Sequence, residues 1–291
     1  MRKSRLKIAK PDIKDCLKNL PYNVLTRKQI ERILSENRRF WRVSNSTTVQ
    51  NFIDFLLKET ELKLVKLKFP SRTINRYIWE NASIFEITAS LKPDSYFTHY
   101  TAVYLHELTE QIPKTIYLNY EQLPKPRKGR NLSQERIKSA FMKPWRTSNN
   151  ISSYKDYKIC FLNGMFTGKL GVIETEGPNG EKIHVTNVER TLIDIAVRPV
   201  YSGGIFEVLK AYKLAHKKVS INRLSAMLKK LNYIYSYHQA IGFYLDKAKV
   251  YKETQISLMQ EFEMKHDFYL THQMKNMDYS KKWRLYFPKG L

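Results

Sequence analysis

Two sets of side chains in this 291-residue chain could do chemistry, one suited to reading bases and the other to hydrolysis or phosphate binding. Ser46, Thr48, Gln50 and Asn51 stand together at the head of an amphipathic segment. Asn and Gln amides pair bidentately with adenine, and Ser or Thr hydroxyls reach base edges or phosphates. Lys28, Arg38, Arg39 and Arg42 come before them, and Arg72 and Arg76 follow. Cations so placed suit phosphate contacts or, for the last pair, the minor groove. Gln50 also stands three residues after Thr47, the spacing of a capping box. That duty would occupy its amide, so Asn51 is the favoured base reader.

The second set fails residue by residue. Glu174 and Glu176 share one face of a strand, a spacing nucleases use for magnesium, yet no Lys follows at the usual place. His106-Glu107 lacks the second His one turn on that a zinc protease needs. His99 and His106 are two turns apart, where histidines pack or cap. Residues 164 to 169 hold one residue too few between their glycines for a P-loop, and Leu170 stands where Ser or Thr would bind magnesium. Gly203-Gly204 reads as a tight turn. Glu189, Arg190 and Asp194 read as a local salt-bridge network. Cys16 and Cys160, far apart, read as buried small hydrophobes. No catalytic residue, metal site or cofactor is assigned.

The base-reading set needs elements to hold it. Thr26 with Gln29 is a capping box, and Ile30, Ile33 and Leu34 follow at helical spacing, so a helix spans residues 26 to 37. A second helix begins at Thr47, with Val49, Phe52, Ile53, Leu56 and Leu57 as its apolar stripe. Residues 62 to 69 and 77 to 79 read as strands around a turn at 70 to 76, with Arg72 and Arg76 at its tip. A helix over 11 to 20 completes the core. Two capped helices followed by a basic hairpin are the pattern of a winged helix-turn-helix over residues 1 to 82.

Residues 83 to 291 read as a larger mixed α/β domain that turns helical toward its C-terminus, and the fold class is α+β. Helices are expected at 96 to 110, 187 to 197, 203 to 216, 220 to 231, 237 to 247 and 255 to 263. Strands are expected at 115 to 120, 157 to 166, 170 to 176, 182 to 185 and 283 to 288. Residues 124 to 130 form a basic loop.

The net charge of +24 supports a polyanionic partner. Residues 1 to 80 hold 19 basic and 8 acidic side chains, close to half of the excess. No apolar run approaches the length of a membrane span, and no signal segment follows the basic start, so a cytoplasmic location is expected.

Three later segments resemble the AbiEi antitoxins of bacterial type IV toxin-antitoxin and abortive-infection systems. They are residues 96 to 113, from Tyr96-Phe97-Thr98-His99 through His106-Glu107-Leu108 to Gln111-Ile112-Pro113; Val188-Glu189-Arg190-Thr191-Leu192-Ile193-Asp194; and Arg198-Pro199-Val200-Tyr201-Ser202-Gly203-Gly204. The ending Trp283-Arg284-Leu285-Tyr286-Phe287-Pro288 is also similar to theirs. The resemblance implies an antitoxin whose N-terminal module represses its own operon at inverted repeats in double-stranded DNA. It further implies a larger domain that counters a nucleotidyltransferase-like toxin, and whether the toxin is opposed without a stable complex, bound or modified stays open. Two alternatives stay open: an enzyme acting on nucleic acid or on the toxin, and a plain ligand-responsive transcription factor.

Overall fold

The computed structural model describes residues 4–125 and 132–291, so most of the basic loop expected at 124 to 130 lies outside the described residues. The fold is mixed α+β, with three sheets among the described residues. The chain divides into two compact units. The first takes in residues through Pro93 together with Asn150–Lys158, and the second holds the rest. Residues 83 to 91, which follow the boundary expected at residue 82, are tied to the first unit by polar contacts. Arg76 donates to Ser90 Oγ, Ser90 O and Leu91 O at 3.0, 2.7 and 3.2 Å. Asn23 N donates to Glu86 Oε1 at 2.6 Å.

The first unit begins with α1 (Arg5–Ile8) and α2 (Lys10–Lys18), whose Pro11 lies in the first turn, where its missing N–H costs nothing. Strand β1 (Val24–Leu25) leads to α3 (Arg27–Asn37), capped by the reciprocal Thr26–Gln29 box read from the sequence. In α4 (Val49–Glu59) the box lies one residue later than expected. Thr47 N is held in a turn by Ser44 O at 3.0 Å. Thr48 Oγ1 accepts from Asn51 N at 3.1 Å, and Asn51 Oδ1 accepts from Thr48 N at 3.2 Å. Strand β2 (Leu62–Phe69) pairs antiparallel with β3 (Arg72–Trp79), and the three-stranded sheet runs β1-β3-β2. A short α5 (Ile84–Ala89) follows.

The apolar stripes of α2, α3 and α4 meet the base of this sheet in one core. It contains Ile13, Leu17, Ile30, Leu34, Trp41, Phe52, Ile53, Leu56, Leu62, Tyr77 and Trp79. Side chains of a strand alternate between faces. Leu62, Leu64, Lys66 and Lys68 therefore share one face with Trp79, Tyr77, Asn75 and Thr73. That face is apolar against the helices and turns polar and basic toward the hairpin end. Cys16 is half-buried rather than buried, and Cys160 is buried as expected.

In the second unit, residues 96 to 110 form β4 (Tyr96–Phe97) and α6 (His99–Leu105) rather than one long helix. Its sheet runs β7 (Tyr157–Gly164), β5 (Thr115–Glu121), β4, β9 (Lys182–Thr186) and β8 (Val172–Glu176), and β6 (Ile151–Tyr154) falls in the segment assigned to the first unit. Helix α7 (Gln134–Met142) had no sequence expectation. Helices α8 (Val188–Val197), α9 (Ile205–Ala215), α10 (Ile221–Leu231) and α11 (Tyr237–Ala248) build the C-terminal core. The helix expected at 255 to 263 shrinks to α12 (Glu253–Ile256) and a 3-10 turn at Ser257–Met259. A last sheet orders β10 (Phe268–Tyr269), β12 (Leu285–Pro288) and β11 (Met277–Ser280).

Trp283, fully buried, packs directly on Gly242 of α11, where an added Cβ would lie 2.1 Å from the indole ring. Gly242→Ala is expected to cost on the order of 1–3 kcal/mol through forced repacking, although alanine is the better helix former. A urea midpoint equal to wild type would show that the indole can move aside.

Candidate nucleic-acid interface

Of the two amides singled out for base reading, Gln50 is the one that the cap of α4 does not use. Asn51 Oδ1 accepts from Thr48 N and, at 2.6 Å, from Thr48 Oγ1, so the favoured reader spends its acceptor on the cap. Gln50 is exposed and outside the box. Its Oε1 accepts from Arg27 of α3 at 2.7 Å, and its Nε2 donates to Asp54 one turn along α4 at 2.9 Å. Both bonds are at the surface, where they exchange readily with water or a base edge. Ser46 is exposed, with its hydroxyl 2.7 Å from that of Ser44, and Thr48 is exposed beside it.

The arginines divide. Arg38 donates to Ser44 O at 2.5 Å and Thr47 O at 3.0 Å, so its guanidinium braces the connector ahead of α4. Arg39 and Arg42 are exposed, the latter in a left-handed backbone with φ 52°. Lys28 is exposed in the first turn of α3. Trp41, buried against Phe52 at 5.8 Å, anchors the connector between these cations.

The hairpin departs most from expectation. Phe69 pairs with Arg72, which leaves only Pro70 and Ser71 in the turn. Arg72 sits exposed at the end, as read. Arg76 does not. It lies four residues down β3, is 9% exposed, and is held by Ser90, Leu91 and its own neighbour Asn75. Burial first, then the charge of Arg72, pull its pKa below the usual arginine value. The exposed cations near the hairpin end are instead Lys66 and Lys68, with Asn75 and Thr73 opposite them. Strand alternation was the signal that separates Lys66 and Lys68 from Arg76, once β3 is started at Arg72.

In the second unit, Arg190 and Asp194 form a buried pair at 2.8 Å on α8. Asp194 also accepts from Thr98 Oγ1 at 3.1 Å, and Arg190 donates to Leu170 O at 2.7 Å. Glu189, expected in the same network, turns to Arg223 at 2.8 Å and to Ser220 N at 3.0 Å. Glu174 and Glu176 lie on an exposed strand, with Lys182 and His184 both 3.9 Å from Glu174. His106 Nε2 meets Thr186 O at 2.5 Å. Among the described residues no cluster of three or more His, Cys, Asp or Glu side chains could hold a metal ion. Among them, too, no helix is long and apolar enough to cross a membrane.

No protein-family model matches this chain, and no curated protein matches it. Among solved structures it is similar to the RV2827C protein from Mycobacterium tuberculosis, with a TM-score of 0.61 and 12% identity over 99% of this chain and 93% of that one. At that identity the likeness is one of fold, and it extends over both units.

Proposed function

We propose that the first unit is a winged helix-turn-helix that binds double-stranded DNA, and that the protein is an autoregulatory antitoxin of the AbiEi type. One observation carries the DNA reading. The order helix, strand, helix, helix, strand, strand, with the first strand pairing to the last, presents the capped head of α4 and a lysine-bearing hairpin end in the same unit. In such a module the second helix of the pair enters the major groove with its N-terminal residues leading, and the wing touches the backbone or minor groove. Gln50 is then the base reader, while Lys28, Arg39, Arg42, Lys66, Lys68 and Arg72 meet phosphates. The antitoxin part rests on the resemblance of the later segments, and the cognate toxin is a nucleotidyltransferase-like protein.

Selection of bound sequences from a random DNA pool, followed by titration over salt, tests the DNA reading. Gln50→Ala is expected to lose about 1–3 kcal/mol of preference at one base position. The Lys66→Ala/Lys68→Ala pair is expected to weaken binding to every sequence and to lower the salt slope by about 2. Failure of the wild-type chain to enrich any sequence would end the DNA reading. Co-expression with the neighbouring gene's product tests the antitoxin part, since rescue of growth should survive the Gln50, Lys66 and Lys68 substitutions. Absence of rescue by the wild-type chain would end that part alone.

A further inference from the structure

Three of the four tryptophans are core residues, Trp41 and Trp79 at 3% exposure and Trp283 at 0%. Trp145 is the exception. It is half-buried in the segment after α7, and its own contacts hold it in place. His272 covers one face of the indole at 3.9 Å between centroids, with the planes 34° apart, and Phe141 backs His272 at 4.6 Å. Indole Nε1 donates to Thr271 Oγ1 at 3.4 Å. Lys143 O lies 2.8 Å from His272 Nδ1 and can only accept, so the imidazole is fixed at its edge as well as on both faces. A ring stacked on one side keeps its exposure on the other face and at the edge. Among the described residues no second ring and no cation packs on this indole.

Cations surround this ring and carboxylates do not. Lys143 and Arg146 flank Trp145 in the chain, and Lys275 follows His272 by three residues; all three side chains are exposed. Arg198, half-buried after the end of α8, reaches the same place and donates through Nη1 to Arg146 O at 3.1 Å. No Asp or Glu occurs from residue 141 to 149 or from 268 to 277. The result is a flat aromatic face, fixed from behind and bordered by positive charge alone. Its complement is a ligand that carries planar rings on a polyanionic backbone.

We propose that Trp145 and the cations around it form a stacking platform for single-stranded nucleic acid. The open indole face takes one base, and Lys143, Arg146 and Lys275 meet the adjoining phosphates. A base can stack there only when it is free of its neighbours, which a duplex does not offer. Phe141 and His272 hold the indole before binding, so little side-chain freedom is lost when the base arrives. The platform lies wholly in the second unit, and it does not rest on the reading of the first unit as a duplex-DNA binder.

Tryptophan fluorescence of the full chain tests this, with four titrants: short oligonucleotides of one mixed sequence as RNA and as DNA, a hairpin duplex, and polyphosphate. Both single strands should quench, saturably, the part of the emission that Trp145→Phe removes, and the duplex and polyphosphate should not. Tighter binding of the RNA strand would identify RNA as the ligand, and equal binding would identify single strands of either sugar. By anisotropy of a labelled strand, Trp145→Ala should weaken binding about tenfold, and Trp145→Phe should recover most of that loss. The Lys143→Ala/Arg146→Ala pair leaves the stacked rings intact and should lower the salt slope by about 1.4, which keeps the test decisive if Trp145→Ala does not fold. Absence of quenching in the wild-type chain, an equal response to the duplex or to polyphosphate, or wild-type affinity and salt slope in the Lys143/Arg146 variant would each overturn the platform.

Discussion

Asp194→Ala is expected to destabilise the second unit by about 3 to 5 kcal/mol, the usual cost of stranding one partner of a buried ion pair. The variant leaves the Arg190 guanidinium, 6% exposed at its side chain, without its carboxylate. It also removes the acceptor of the Thr98 hydroxyl. Arg190 would keep its bond to Leu170 O, too little to offset an uncompensated buried charge. Hydrogen exchange of the α8 amides, read beside a urea titration, separates this loss from any change in the first unit. Replacing both partners, Arg190→Met with Asp194→Leu, should recover most of the stability, since no charge is then left buried. If the single variant keeps wild-type exchange in α8, the pair is solvated in solution and the argument fails.

Acid is expected to weaken the fold well above the carboxylate range. Burial holds His99 and His238 each to a pKa of about 4, against an ordinary histidine value of 6.5. A base whose folded value is depressed leaves the unfolded chain binding more protons between the two values. The stability is therefore fully present above pH 6.5 and is lost as pH falls toward 4. Between pH 7 and pH 5 the two rings together should remove about 3 to 4 kcal/mol. His106 and His272, lowered in the same direction and first by burial, add to the trend. Urea midpoints at pH 7, 6 and 5, in buffer free of phosphate, measure it. His238→Phe, which keeps a ring stacked on Phe262 at 5.1 Å, should flatten the slope by nearly half. A midpoint independent of pH across this window would mean that both rings reach water in the native state.

The two halves of the candidate interface were legible to different degrees. Caps and stripes are local: Thr26 with Gln29, and the apolar spacing of α3 and α4, place both helices within a residue of where they lie. The cap of α4 slipped because Thr47 and Thr48 are chemically equivalent in sequence. What separates them is the Ser44 turn, which occupies the Thr47 N–H. That one-residue shift moved the capping duty from Gln50 to Asn51 and so exchanged the two candidates for base reading.

Sequence by itself determined the capped helices, the apolar stripes and the basic strand, because each depends on residues within one or two turns of one another. Only the tertiary structure decided which cations stay in water. Arg76 and Arg72 look alike along the chain, yet Ser90 and Leu91 fold back to take the first and leave the second at the surface. Tertiary structure likewise split residues 96 to 110 into a strand and a short helix. Tyr96 and Phe97 pair with Asn119 and Leu118 of β5, and Phe97 also with Val185 of β9. It also turned Glu189 away from Arg190 toward Arg223. Hydrogen-bond partners separated by tens of residues leave no periodic trace in a sequence, and it is such a bond, from Thr98 to Asp194, that fixes the hydroxyl against which the His99 ring rests.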